Sequence, residues 1–140
     1  MRAFVFIMLF LMSCATSGDY HAQLKHGINI TALTIETSKT TAELLYKSYQ
    51  QAIVDTEAKK AVPPTQVSVQ ARLEVMRRKW DPLWEAYSNI NLTYQQLVSI
   101  VDKPDFTEAE AMSVSDRLYN QQSRTAELLS QLREEMSQGP

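Results

Sequence analysis

Ten positions between residues 69 and 101, spaced alternately four and three apart, are all apolar or aromatic: Val69, Leu73, Met76, Trp80, Leu83, Tyr87, Ile90, Tyr94, Leu97 and Val101. Against a background of 44% apolar residues, a run of this kind arises by chance with a probability on the order of 10⁻⁴ in one register. The spacing predicts a long helix with a heptad-type, coiled-coil-like seam. Trp84 and Val98 widen the seam on one side, and Ala86 and Ile100 on the other. A face this wide touches more than one partner helix. Pro82 falls inside the segment, where a proline costs about 3 kcal/mol and bends the axis. The alternative is a break, with Asp81 as N-cap and Pro82 in the first helical position. The seam keeps its phase from Trp80 to Leu83, which favours one kinked helix over residues 65–101.

Two separators bound this segment. Pro63-Pro64 cannot lie in a helix interior, and Asp102-Lys103-Pro104-Asp105 ends the helical pattern later. Beyond the second, Thr107-Glu108-Ala109-Glu110 reads as a capping box, with Phe106 placed to staple onto Ala111. The third seam is Ala111, Ser115, Leu118, Gln122, Thr125, Leu129, Leu132 and Met136, predicting a helix over 107–137. Before the first separator, Ile28, Thr31, Ile35, Ser38, Ala42, Leu45, Tyr49, Ala52 and Thr56 hold the same spacing. The Ser and Thr content of residues 31–41 lowers helix propensity, so a start near Thr40 or an extended stretch competes with a helix over 29–61. Three helices joined by short loops imply antiparallel neighbours. The expected fold is all-α, an elongated antiparallel three-helix bundle over residues 28–138. A helical hairpin that completes its core by pairing with a second copy is the alternative, which leaves a homo-oligomer open.

The first residues tell a different story. Arg2 precedes ten consecutive apolar residues, Ala3 to Met12, a helix of about 15 Å that covers half of a hydrocarbon core. A positive start, a short apolar stretch and a small residue before the cut predict a secretory signal peptide over residues 1–13. Leu11-Met12-Ser13-Cys14 resembles the lipobox of bacterial lipoproteins, although Met12 stands where a small residue is more usual. Cys14 is the single cysteine of the chain. The resemblance implies cleavage before Cys14, diacylglycerol on its sulfur and acylation, such as palmitate, on its new amino group. Several acyl chains on one residue make membrane attachment effectively permanent, since each buried methylene contributes about 0.8 kcal/mol. Ala15, rather than Asp, follows the cysteine. In a double-membrane host the resemblance then implies the outer membrane, facing the periplasm, and in a single-membrane host the outer face of the cell membrane. Residues 14–27, small and polar at first, are expected to be a lipidated cysteine and flexible tether.

Composition excludes more than it assigns. Of 140 residues, 14 are Lys or Arg and 16 Asp or Glu, a net charge of −2, so no basic field points to nucleic acid. One cysteine forbids an internal disulfide and any multi-cysteine metal site. His21 and His26, five apart, do not make the i, i+4 pair of a helical metal site. Glu108 and Glu110 are explained by capping, and Glu134-Glu135 reads as a solvated face. The sequence holds no nucleophile elbow and no phosphate-cradling glycine loop, so no enzyme activity, cofactor or metal is expected. The one basic cluster is Arg77-Arg78-Lys79 with Arg72 nearby. It reads either as a solvated rim whose stems cover the aromatic core or as a patch for an anionic surface. Trp84, at the edge of the seam, is the candidate anchor of an interface. The function expected is a non-enzymatic, lipid-anchored helical interaction module or accessory subunit of an envelope assembly. Partner-binding would fall to Trp84, Arg72, Arg77, Arg78 and Lys79, and lipidation to Cys14. The alternatives are a carrier of a small hydrophobic ligand, held in a cavity beside Pro82, and a phage or plasmid exclusion or lysis lipoprotein.

Overall fold

The computed structural model describes residues 17–60 and 65–138, with side chains from residue 22 onward. These residues form three helices: α1 (Ser17–Ala58), α2 (Gln66–Val101) and α3 (Glu108–Ser137). At 1.5 Å per residue, helices of 42, 36 and 30 residues run about 63, 54 and 45 Å. The fold is an all-α, elongated three-helix bundle.

Cross-helix contacts set the directions. Going down α1 from Glu57 to Tyr46 and Ser38, the partners on α2 rise from Arg72 to Trp80 and Tyr87. Going up α2, Lys79 meets Glu135 and Gln96 meets Arg117. Each neighbouring pair is therefore antiparallel. The middle helix packs along both others, whereas α1 and α3 touch sparingly. This follows from the widths of the stripes: α2 carries the broadest apolar face and serves two partners.

Along α2, Met76, Trp80, Leu83, Tyr87, Ile90, Leu97 and Val101 are buried, and Leu73 and Tyr94 pack against them half-buried. The helix runs unbroken through Pro82, whose ring lies on the exposed side. Proline removes one backbone donor and presses on the carbonyl four residues back. Because Pro82 lies on the solvent face, the core seam stays in phase. At its N-terminus Thr65 caps α2, its hydroxyl accepting from the Ser68 amide at 3.2 Å. The start of α3 carries the full capping box: the Glu110 amide donates to Thr107 Oγ1, and the Thr107 amide donates to Glu110 Oε2. Phe106 and Ala111 are both buried, as the staple requires.

Three expectations need correction. The tether expected over residues 14–27 is helical from Ser17, and Leu24 is a core residue at 4% exposure. Leu24 stands one four-residue step before Ile28, so the seam simply continues. The leader 1–13 and Cys14 lie outside the described residues. The buried set of α1 also departs from the strict heptad: after Tyr49 it passes to Ile53 and Glu57 rather than Ala52 and Thr56. A straight helix drifts about 20° per heptad against a 3.5-residue repeat, and successive four-residue steps follow that drift. On α3, Val114 is buried while its neighbour Ser115 is half-buried, because the longer apolar side chain reaches the core from the seam's edge.

Candidate functional site

Trp80 and Trp84 are four residues apart and Tyr87 three further on, so all three rise from one face of α2. Their rings follow one another: Trp80 to Trp84 at 5.7 Å and 30°, Trp84 to Tyr87 at 6.3 Å and 31°. Tyr46 of α1 meets this row edge-on, 5.3 Å from Trp80 and 5.7 Å from Trp84, and Tyr49 lies 6.1 Å from Trp80. Tilted and T-shaped pairs at these distances are the arrangements aromatic quadrupoles favour. Burial is uneven along the row, with Tyr87 at its far end buried as well as Trp80. Trp80 is 0% exposed and its indole N–H has no hydrogen-bond partner among the described residues. Trp84 is half-buried.

Beyond Trp84 the groove between α1 and α2 opens into a cleft of ≈ 630 Å³. Trp84, Tyr87 and Tyr94 form its aromatic wall, with Ser88 and Asn91 beside them. Glu36, Lys39 and Glu43 of α1 form the opposite rim, where Lys39 and Glu43 pair at 3.9 Å. An aromatic wall facing a polar rim is the make-up of an interface anchor, with an apolar body and a wet edge.

The four basic residues singled out in the sequence lie close together on α2 and are paired with acids. Arg77 holds Glu74 through two hydrogen bonds of 2.9 and 2.8 Å and reaches Asp81 at 3.4 Å. Arg78 donates to the same Glu74 at 3.1 Å. Lys79 crosses to Glu135 of α3 at 3.0 Å. Arg72 crosses to Glu57 of α1, which also accepts from Lys60 at 2.6 Å. Arg77, then Arg78, hold the Glu74 carboxyl down to about 2. Lys60 first, against the opposing effect of burial, and then Arg72 hold Glu57 below the usual carboxylate range. Five cations thus face four carboxylates (Glu57, Glu74, Asp81, Glu135). The cluster is a laced ridge rather than a free basic patch. Arg78, 73% exposed at the side chain, is its outermost member. The ridge and Trp84 share α2 but occupy successive stretches of it, ridge first.

Glu57 is a residue that sequence reasoning missed. Its carboxylate is 2% exposed at the mouth of the α1–α2 turn and draws cations from both sides. The signal for it was the four-residue step from Ile53, which puts position 57 on the core face. Among the described residues no group of three or more His, Cys, Asp or Glu side chains is placed to hold a metal ion. Glu108 and Glu110 sit in the first turn of α3, Glu110 in the capping box, and His26 is exposed on α1. No described helix is long and apolar enough to cross a membrane. Compared with protein-family models, with curated proteins and with solved structures, the chain shows no match.

Proposed function

We propose that the protein is a lipid-anchored helical interaction module of a bacterial envelope, docking a protein partner on the α1–α2 cleft. The observation that carries this reading is Trp84: continuous with a buried aromatic row, yet half-open on a cleft whose rim is polar. Tryptophans in that setting are the residues that dominate interfaces. The lipobox-like Leu11-Met12-Ser13-Cys14, with the chain's one cysteine at its end, supports the anchor. The location then follows from the resemblance: the outer membrane facing the periplasm in a double-membrane host, or the outer face of the cell membrane otherwise. Arg72, Arg77, Arg78 and Lys79 would act as a rim that orients the partner, exchanging internal carboxylates for partner carboxylates.

The test is photo-crosslinking in intact cells, with a photoreactive residue at position 84 and separately at 78 in the full, anchored chain. A discrete protein adduct of one mass supports the module and identifies its partner. Lipid adducts alone, from correctly anchored protein, overturn it.

A further inference from the structure

Because α1 and α3 touch sparingly, a second cleft runs between them with α2 as its floor. Its volume is ≈ 270 Å³, just below the range of about 300–1,000 Å³ usual for small-molecule sites. That is too small for a helix about 10 Å across and suits a single slender chain. Ile35, Ala126 and Leu129 supply the apolar surface, over a floor closed by the enclosed Ile90. Most hydroxyls on the walls are already satisfied. Thr34 donates to the Ile30 carbonyl at 2.9 Å, Thr125 donates to the Gln121 carbonyl at 2.8 Å, and Ser38 and Tyr87 bond each other at 2.6 Å. The cleft is therefore drier than its residue names suggest.

One end is different. Arg133 lines the cleft at its α3 C-terminal end, and no carboxylate lines it anywhere. Arg72, Arg77 and Arg78 are all paired with acids, whereas Arg133 has no ion pair among the described residues. From Gln122 to Arg133 the cleft extends along α3 for about 16 Å. A narrow apolar trough that ends on an uncommitted guanidinium is complementary to one class of ligand. A guanidinium fork binds a carboxylate through two parallel hydrogen bonds, and the trough takes what trails behind it.

We infer that the α1–α3 cleft binds a free medium-chain fatty acid, its chain along Ile35, Ala126 and Leu129 and its carboxylate on Arg133. This site shares Ile35 and Tyr87 with the α1–α2 cleft but does not include Trp84, and it does not depend on the docking reading.

The test uses the full chain in phosphatidylcholine vesicles and a diazirine analogue of dodecanoate, with labelled peptides mapped by mass spectrometry. Labelling is expected within residues 34–38 and 122–133, displaced by dodecanoate. Ala126→Trp, which fills the cleft from an exposed position, should cut it at least tenfold. Arg133→Gln should cut it about tenfold for the carboxylate probe and leave a dodecanol-derived probe unchanged. Retention of helical circular dichroism shows that either variant is folded. Equal labelling of Ala126→Trp, no preference for carboxylate over alcohol, or label concentrated outside the cleft each overturn the site.

Discussion

The phenolic oxygen of Tyr87 lies 2.6 Å from the hydroxyl of Ser38, joining the middle helix to the first across 49 residues of sequence. Tyr87 is buried, and burial raises its pKa above the ordinary 10.0 even though the bond to Ser38 opposes the rise. The phenol therefore stays protonated in the fold. A neutral hydrogen bond of this kind contributes about 0.5–1.5 kcal/mol. Tyr87→Phe and Ser38→Ala are each expected to lose about that much in chemical denaturation, and the double variant less than their sum. The unfolded state binds fewer protons once pH passes 10, so stability falls as pH rises there. Tyr87→Phe should flatten that alkaline loss.

The two tryptophans are expected to separate. Trp80→Ala empties a fully enclosed position and should cost about 3–5 kcal/mol of stability. Trp84→Ala removes a half-buried ring and should cost clearly less, while abolishing the partner adduct seen with a crosslinker at position 78. Equal destabilisation by both would mark Trp84 as core.

Acid should loosen the ridge. The folded pKa of Glu74 lies at about 2 and that of Glu57 is also lowered, against an ordinary 4.5. Between those values the unfolded chain binds more protons than the folded one, so stability drops as pH falls from about 4.5 towards 2. Thermal melts across that window should show the loss, and Glu74→Gln should reduce its steepness. Glu74 is solvent-facing enough for salt to screen the pairs, so the effect should shrink at high ionic strength.

Thr107→Ala deletes the hydroxyl that receives the Glu110 amide at 3.2 Å. The expected loss is about 0.5–2 kcal/mol, readable as a lowered melting temperature with most of the helical signal retained. Thr107→Ser should restore nearly all of it.

Cys14→Ala tests the anchor by itself. Fatty-acid labelling of the protein in cells should vanish, and the precursor should remain uncleaved. Normal maturation of that variant would make the leader a plain secretory signal.

The helix that was easiest to read, α2, was legible because its apolar residues are large and its seam serves two neighbours. Trp80, Leu83 and Ile90 fall where the spacing puts them. The capping box at Thr107 was equally plain, being local chemistry that no distant contact can override. α1 was harder. Ser and Thr occupy its seam because α2 brings the bulk, so the pattern is carried by size rather than by hydropathy. Its first turns were obscured by a composition that suits a tether, and only the step from Leu24 to Ile28 contradicts it. The ridge was half legible. Arg72, Arg77, Arg78 and Lys79 could be seen to cluster, but Glu57 and Glu135, their partners on other helices, are brought in by the tertiary fold. The α1–α3 cleft could not be foreseen, since it arises from the sparse contact of α1 with α3. On α2 the α1–α3 cleft sits at Tyr87 and Ile90, while the α1–α2 cleft runs from Trp84 to Tyr94, just past the Pro82 position where a cavity was expected.

The unbroken start of α1 at Ser17 has a mechanical consequence. Only Ala15 and Thr16 separate Cys14, the proposed site of acylation, from the first helical residue. From Ser17 to Tyr46, the residue against Trp84, the rod rises about 44 Å. An anchored copy would thus work as a stilt, able to hold its tryptophan as far as that from the lipid. A partner seated in the same membrane would meet the tryptophan within that reach, and one fixed to a facing layer would have to stand no further off than the rod can span.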